Sequence, residues 1–519
     1  MPSSKEYTST KKHVERNEED IAAAQLQEIT GYTQQLVKNR STFHVVFMAF
    51  VLAAIPYGLA TSLFYPLING GPVTIIWGWI TVSTIIICVA VSLAEITSVY
   101  PTAGGVYYQT FMLLPPSSRK LGSWICGAAY AAGNILITLA VNFGTTGFFI
   151  GCINVFEVEP GVGIFQAATY QHFLIFVAIT VLCNATSAYG NRWLPLLDTF
   201  AIFWTFAGLA AIVVCLLAIA RNGRNSAEYI FGGFEPMSGW PSGWAFCVGL
   251  LHAAYSTSST GMVISMCEEV KNPRTQVPKA IIFTVLINTL AGLLFLIPVV
   301  AVLPSASLST LLQSDQPFPV IVKSAIGSEA GSFLLLLPLI ILALLNGIAC
   351  TTATSRCIWA FARDGAIPGA RHWSLVHGYL NVPLNAMMLS MLSQILLGSI
   401  YFGSEAAFNA FSSAGVIFLT VSYASPVAVS LMGKRKAVKM GGFDLGVFGV
   451  GCNVVALCWS ALAVPLFCMP SYLPATAETV NYSCVVFVGF ITVASLWYWL
   501  WGYKGFKGPV FDDVQALEN

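Results

Sequence analysis

Five consecutive hydroxyl residues, Ser256-Thr257-Ser258-Ser259-Thr260, precede Gly261 inside an otherwise apolar stretch, LLHAAYSTSSTGMVISMCEE. Hydroxyl side chains satisfy backbone groups that a helix leaves free, so the run predicts an unwound segment. A second interruption, Pro56-Tyr57-Gly58, stands at the centre of FVLAAIPYGLATSLFYPLINGGPV. Proline removes a backbone donor and glycine weakens the helix, which gives either a break along a polar cavity or a plain kink. An anionic ligand suits a half-helix N-terminus, whereas an ammonium suits carbonyls, ring faces or a carboxylate. No carboxylate lies deep in the segments that carry these residues. A cation would therefore be held by rings and carbonyls, with Tyr57, Tyr130 and Tyr255 as candidates; alternatively each ring packs between helices.

Asn134 and Asn142 share one apolar segment and Asn346 lies in another. An amide in hydrocarbon faces the interior of a helix bundle, for hydrogen bonds between helices or for ligand contact. Asn134 is the better ligand candidate of the first two, one helical turn from Tyr130, and Asn346 is carried with it. His252 precedes Tyr255 by three residues and shares its helix face. It either titrates near neutrality and couples to protons or serves as a neutral, hydrogen-bonded spacer. Ser256, Thr257 and Ser258 complete the candidate set.

The elements that must position these residues follow from composition. The chain has 519 residues, 56% hydrophobic and 9% charged, with a mean hydropathy of +0.74. Soluble chains carry roughly 25% charged residues. With about 20 apolar residues per spanning helix, the chain furnishes about a dozen spans. An all-α polytopic membrane protein follows, and a secreted disulfide scaffold, a nucleic-acid binder or a disordered linker does not. Apolar segments run at about 43–66, 71–94, 121–150, 170–190, 194–220, 243–267, 278–303, 332–355, 382–402, 406–431, 444–468 and 483–502. Residues 1–42, containing KKHVERNEED, read as a disordered cytoplasmic tail without a signal-peptide core, and 503–519 as a second tail.

Cytoplasmic loops are enriched in Lys and Arg. With the N-terminus inside, all basic residues but Arg221, Arg224 and Lys323 fall on the cytoplasmic side, out of 24 in total. The Asn481-Tyr482-Ser483 sequon then lies in an outer loop, where it is a candidate glycosylation site. Glu95, Glu268 and Glu269 fall at inner helix ends beside many basic residues, as candidates for cytoplasmic-gate salt bridges. Most of the thirteen cysteines lie in apolar runs as small hydrophobes. Cys468 and Cys484 flank one short outer loop and are placed to pair.

The segment Glu268-Glu269-Val270-Lys271-Asn272-Pro273-Arg274, followed by Val277-Pro278-Lys279-Ala280, resembles the E-E-V-x-N-P-R…P-x-A signature of the amino acid–polyamine–organocation transporters. Gly70-Gly71-Pro72-Val73 before Trp77-Gly78-Trp79 is similar to the fungal amino acid/choline branch of that superfamily. So are Ala94-Glu95-Ile96-Thr97-Ser98 and Tyr100-Pro101-Thr102-Ala103-Gly104-Gly105-Val106-Tyr107-Tyr108. The resemblance covers roughly residues 43–505. It implies twelve transmembrane helices: a five-plus-five inverted repeat with helices 1 and 6 broken, its halves at 43–220 and 243–431, and two extra helices at 444–502. By motif position Pro56-Tyr57-Gly58 replaces a G-S-G break, so Tyr57 is expected to narrow the pocket or add a ring to it. Tyr255 falls where the family has an aromatic gate. Related proteins use a basic residue in span 5 in place of sodium, where this chain has Asp198 and no lysine.

The expectation is a secondary transporter that moves a small nitrogen-containing solute by alternating access: choline or another amine, gamma-aminobutyrate, or another amino acid. Proton coupling is expected from the resemblance. The plasma membrane is the expected location, with a vacuolar or vesicular membrane as the alternative. A fungal exporter of an alkaloid-like metabolite is a second reading and a nutrient-sensing transceptor a third, disfavoured by the short tails. Walker A spacing, clustered metal ligands and a nucleophile–base arrangement are missing from the sequence, so neither ATP coupling, a cofactor nor an enzyme is expected.

Overall fold

The computed structural model describes residues 42–159, 161–304, 311–314, 316–403, 405–439, 441–476, 480–506 and 508–509. Most of the two expected tails therefore lies outside the described residues.

Eleven helices among the described residues are long and apolar enough to cross a membrane. The twelfth expected segment is present in pieces. Helices Ser242–Gly249 and Leu251–Thr257 lead into a 3₁₀ run at Ser258–Glu269. Runs of this kind longer than three or four residues are uncommon and mark hinges. We number the crossings as spans 1 to 12. Span 1 is also divided, into Thr42–Ala53 and Ile55–Thr61. Spans 2 to 5 are Pro72–Val99, Arg119–Ile153, Thr169–Tyr189 and Leu194–Ile219. The broken segment is span 6, and spans 7 to 9 are Pro273–Ala301, Glu329–Arg363 and Leu384–Gly398. Spans 10 to 12 are Glu405–Met432, Gly446–Leu466 and Ser483–Trp497.

Local rules set several of these boundaries. Pro273 opens span 7, where its missing N–H is harmless. Span 8 starts at Ser328, whose hydroxyl accepts the Gly331 N–H at 3.4 Å, with Glu329 in the first turn.

The packing repeats when the first five spans are exchanged with the second five. Span 2 lies on span 7 and span 3 on span 8, each on its own counterpart. The contact of span 3 with span 10 recurs as span 8 with span 5, and span 4 with span 8 as span 9 with span 3. Likewise span 1 meets spans 7 and 5, and span 6 meets spans 2 and 10. Span 11 packs on spans 2 and 10, and span 12 on spans 10 and 3. Large apolar side chains left outside, such as Phe203 and Val214 on span 5 and Val485, Trp499 and Leu500 at span 12, form the surface that hydrocarbon covers.

The helix Pro317–Ile326 lies between spans 7 and 8 in the chain. Its Phe318 packs on Phe148 and Phe295, at ring separations of 6.5 and 5.2 Å. Cys468 and Cys484 are both free thiols, so the pairing suggested by the loop spacing does not form. Asn481 donates its side-chain amide to the carbonyls of Phe467 (2.8 Å) and Met469 (3.3 Å), which engages the nitrogen that a glycan would occupy.

Candidate functional site

The interruption of span 1 falls at Ala54, with φ 39° and ψ 48°. A non-glycine residue in this left-handed region costs about 1–2 kcal/mol. Pro56 then sits in the first turn of Ile55–Thr61, where it has no N–H to satisfy. The amides of Tyr57 and Gly58 both donate to Ala54 O at 3.0 Å.

The carbonyls released on the other side of the break are met by span 8. With its nitrogen turned toward span 1, the Asn346 amide donates to Val51 O (3.3 Å) and Leu52 O (3.1 Å). Asn346, expected as a ligand contact, thereby reaches the backbone of span 1 at its break. Tyr57 points to span 3: its hydroxyl donates to Val141 O at 3.0 Å and lies 2.9 Å from Thr145 Oγ1, while its ring meets Phe148 edge-on.

Span 6 meets span 1 at Gly58. A Cβ there would stand 3.1 Å from Ser256 Oγ and 3.3 Å from Ser256 Cβ. The hydroxyl run acts on its own backbone. Ser256 donates to His252 O (3.0 Å), Thr257 to Ala253 O (2.8 Å), Ser258 to Tyr255 O (2.8 Å) and Thr260 to Thr257 O (2.7 Å). Two tyrosines from outside brace the 3₁₀ segment. Tyr423 of span 10 donates to Ser258 O at 3.1 Å, and Tyr130 of span 3 contacts Gly261 O (3.2 Å) and Ser265 Oγ (2.9 Å). Their rings lie 6.2 Å apart, edge to face. Tyr130 thus touches the break directly, through its hydroxyl.

Tyr255 stays partly exposed between the buried Ala254 and Ser256, with Tyr57, Tyr65 and Cys350 as electrostatic neighbours. Asn134 is fully buried and donates to Tyr130 O at 2.8 Å, which leaves its Oδ1 without a hydrogen-bond partner among the described residues. His252 contacts Ser62 Oγ through Nδ1 at 2.9 Å. Ser62 already donates its one proton to Gly58 O at 2.7 Å. His252 must then be the donor in that pair, so Nε2 of the neutral ring carries a lone pair. That Nε2 is buried without a hydrogen-bond partner among the described residues.

A narrow groove lined by Thr257, Ser258, Thr420, Tyr423 and Trp459 lies beside the unwound turn, between spans 2, 6, 10 and 11. A second lies between spans 1, 5 and 8 and includes Asp198 in its wall.

The three glutamates expected at a gate divide into two groups. Glu268 takes a bidentate contact from Arg363 at 3.0 and 3.1 Å, and Glu269 accepts from Arg356 Nε at 2.8 Å. Both tie the end of span 6 to span 8. Glu95 instead binds Arg435 (2.6 Å) and the Leu445 amide (2.8 Å), which joins span 2 to the loop between spans 10 and 11. Sequence reasoning missed Ala54, Ser62 and Tyr423. Ala54 carries no residue-type signal, whereas Tyr423 sits in VSYASP, a polar interruption of span 10 that marks it in retrospect.

Two discontinuous helices, in contact at mid-span inside a twelve-span bundle, form the arrangement on which multi-pass membrane transporters build their substrate sites. The chain belongs to the amino acid permease family, whose family model matches residues 41–490. A choline transporter of Saccharomyces cerevisiae is 30% identical over 487 residues, 93% of this chain and 84% of that protein. A polyamine transporter of the same yeast is 29% identical, over 97% of this chain and 82% of the relative. Its GABA-specific permease is 28% identical, over 92% and 84% respectively.

Proposed function

We propose that this protein is a secondary transporter that carries a small nitrogen-containing solute across the plasma membrane by alternating access. The observation that carries the reading is the meeting of the two interrupted spans at Gly58 and Ser256. A hinge in each half at one depth lets one group of helices rock against the other around a central site. The bidentate Glu268–Arg363 pair and the buried Glu269–Arg356 pair hold span 6 against span 8 at the inner end. Inward opening requires these contacts to separate. The relatives, named for choline, polyamine and gamma-aminobutyrate transport, share a nitrogenous substrate.

The coupling ion in this reading is the proton, and His252 Nε2 is its acceptor. A buried ring nitrogen with a free lone pair, on the same span as the hinge, changes the charge of the site when it protonates. The test is uptake into proteoliposomes under an imposed pH gradient. Accumulation should follow the proton gradient, collapse with a protonophore and be lost in His252→Gln. Uptake that survives the protonophore and disappears on removal of sodium would reverse the coupling assignment.

A further inference from the structure

We infer that residues 470–473, in the loop between spans 11 and 12, are a latch that must release spans 1 and 6 before the site can open toward that face of the membrane. The inference rests on the transporter reading for the motion that the latch restrains.

Both interrupted spans meet in one small assembly at this face. Beyond the second half of span 1, Asn69 and Gly70 pair antiparallel with Pro236 and Glu235, which precede the first half of span 6. The Met237 amide adds a bond to Ile68 O at 2.9 Å. Asn69 is fully buried, and a Cβ on Gly249 of span 6 would lie 3.1 Å from the Asn69 Cβ. The two hinged halves are therefore joined here, and a movement of either carries the other. The Glu268–Arg363 and Glu269–Arg356 pairs lie at the opposite end of span 6.

The stretch 470–473 is bonded to both parts of this assembly. Asn69 Nδ2 donates to Ser471 O at 3.2 Å, Trp240 Nε1 to Pro470 O at 3.0 Å and the Leu473 amide to Ser238 O at 2.6 Å. Gly239, at φ +75°, lies against Leu473, and a Cβ there would stand 3.3 Å from the Leu473 Cβ. The loop itself is rooted on other helices. Asn481 Nδ2 donates to the carbonyls of Phe467 and Met469, and the Ser483 hydroxyl to Ala410 O of span 10. Any displacement of spans 1 and 6 from spans 10, 11 and 12 at this face must therefore break the bonds of Asn69, Trp240 and Leu473 together. The stretch is only partly buried, so water can replace each bond as it opens, and the net strength of a bond exchanged with water is modest. Such a contact restrains opening without preventing it.

The experiment uses the full chain in proteoliposomes. Gly239→Cys/Leu473→Cys brings two thiols to about the separation that a disulfide spans. Copper–phenanthroline with oxygen takes up the two electrons and two protons released as the bond forms, and dithiothreitol reverses it. Uptake of labelled choline, putrescine and gamma-aminobutyrate is measured before and after oxidation, relative to parent protein treated identically, and the cross-link is quantified by mass spectrometry of the digest. Cross-linking should lower uptake by about tenfold or more, because a protein held in one state cannot alternate, and reduction should restore it. Uptake that persists in the fully cross-linked protein would overturn the latch and leave the transporter reading intact, and so would failure of the cross-link to form. Trp240→Phe removes one of the bonds and keeps a ring. By raising the open population it should lower KM about 2- to 12-fold for uptake into intact cells, since the charge asymmetry places this face outside. A lower Tm with unaltered KM would mean that the loop only packs, which also overturns the latch. A parent protein that takes up none of the three compounds would instead fail the transporter reading, and the latch with it.

Discussion

Gly58 and Ser256 bring the two interrupted spans to van der Waals contact: a Cβ on Gly58 would lie 3.1 Å from Ser256 Oγ and 3.5 Å from Ser256 Cα. The first is tighter than ordinary contact, so in Gly58→Ala the Ser256 side chain or the spans themselves must give by a few tenths of an ångström. Overpacking of this kind costs about 1–3 kcal/mol. Gly58→Ala is expected to lower Tm and transport, and Ser256→Gly in the same molecule to restore part of both. Strictly additive effects of the two changes on thermal unfolding would mean that the contact carries no energy.

Tyr255 is expected to line the substrate path, since it alone stays partly exposed between residues 250 and 259. Tyr255→Phe should keep most transport. Tyr255→Ala should raise KM by roughly 2- to 30-fold, the equivalent of a cation–ring contact of about 0.5–2 kcal/mol. Uptake normalised to surface protein decides, and an unaltered KM in the alanine variant would remove Tyr255 from the path.

Asn346 behaves as a cap if its two bonds to span 1 matter more than a substrate contact. Asn346→Leu leaves the Val51 and Leu52 carbonyls unmatched, at about 1–3 kcal/mol for an unsatisfied buried group. A lower Tm with unchanged KM is the expected pattern. A raised KM with unchanged Tm would return Asn346 to the substrate site.

Arg356 is wholly buried against Glu269. Glu269→Ala leaves that charge without this partner, at about 3–5 kcal/mol, whereas replacing both residues by apolar ones costs less. Thermal unfolding of Glu269→Ala and of the Glu269→Leu/Arg356→Met pair should therefore rank the double variant as more stable. The opposite ranking would show that other contacts hold Arg356.

Lys323 lies 2.9 Å from Glu157 and 3.5 Å from Glu329. Its hydrogen bond holds the Glu157 carboxyl below the usual range. A carboxyl whose folded value is depressed stabilises fully above its unfolded value of about 4.3, and that stability is lost as pH falls through the lowered folded value. Tm should drop from pH 7 to pH 4, and by less in Lys323→Met. Equal slopes in parent and variant would exclude this pair as a source of acid sensitivity. The effect should be small, because both side chains are partly exposed.

The sequence alone determined the features that depend on near neighbours. Apolar length sets a span, and a proline–glycine pair or a hydroxyl run interrupts it, because helical hydrogen bonds reach only three or four residues. The bonds from Ser256, Thr257, Ser258 and Thr260 to their own helix are of this local kind. What the tertiary structure decided is the identity of distant partners. Glu95 and Arg435 are 340 residues apart in the chain, and no periodicity distinguishes that pairing from one with Arg363. Similarly, Pro56 announces a break, yet the residue that turns is Ala54, because Asn346 can cap Val51 and Leu52 only from an adjacent span. A buried polar group takes whichever partner packing brings within about 3 Å, and that distance is a property of the folded bundle.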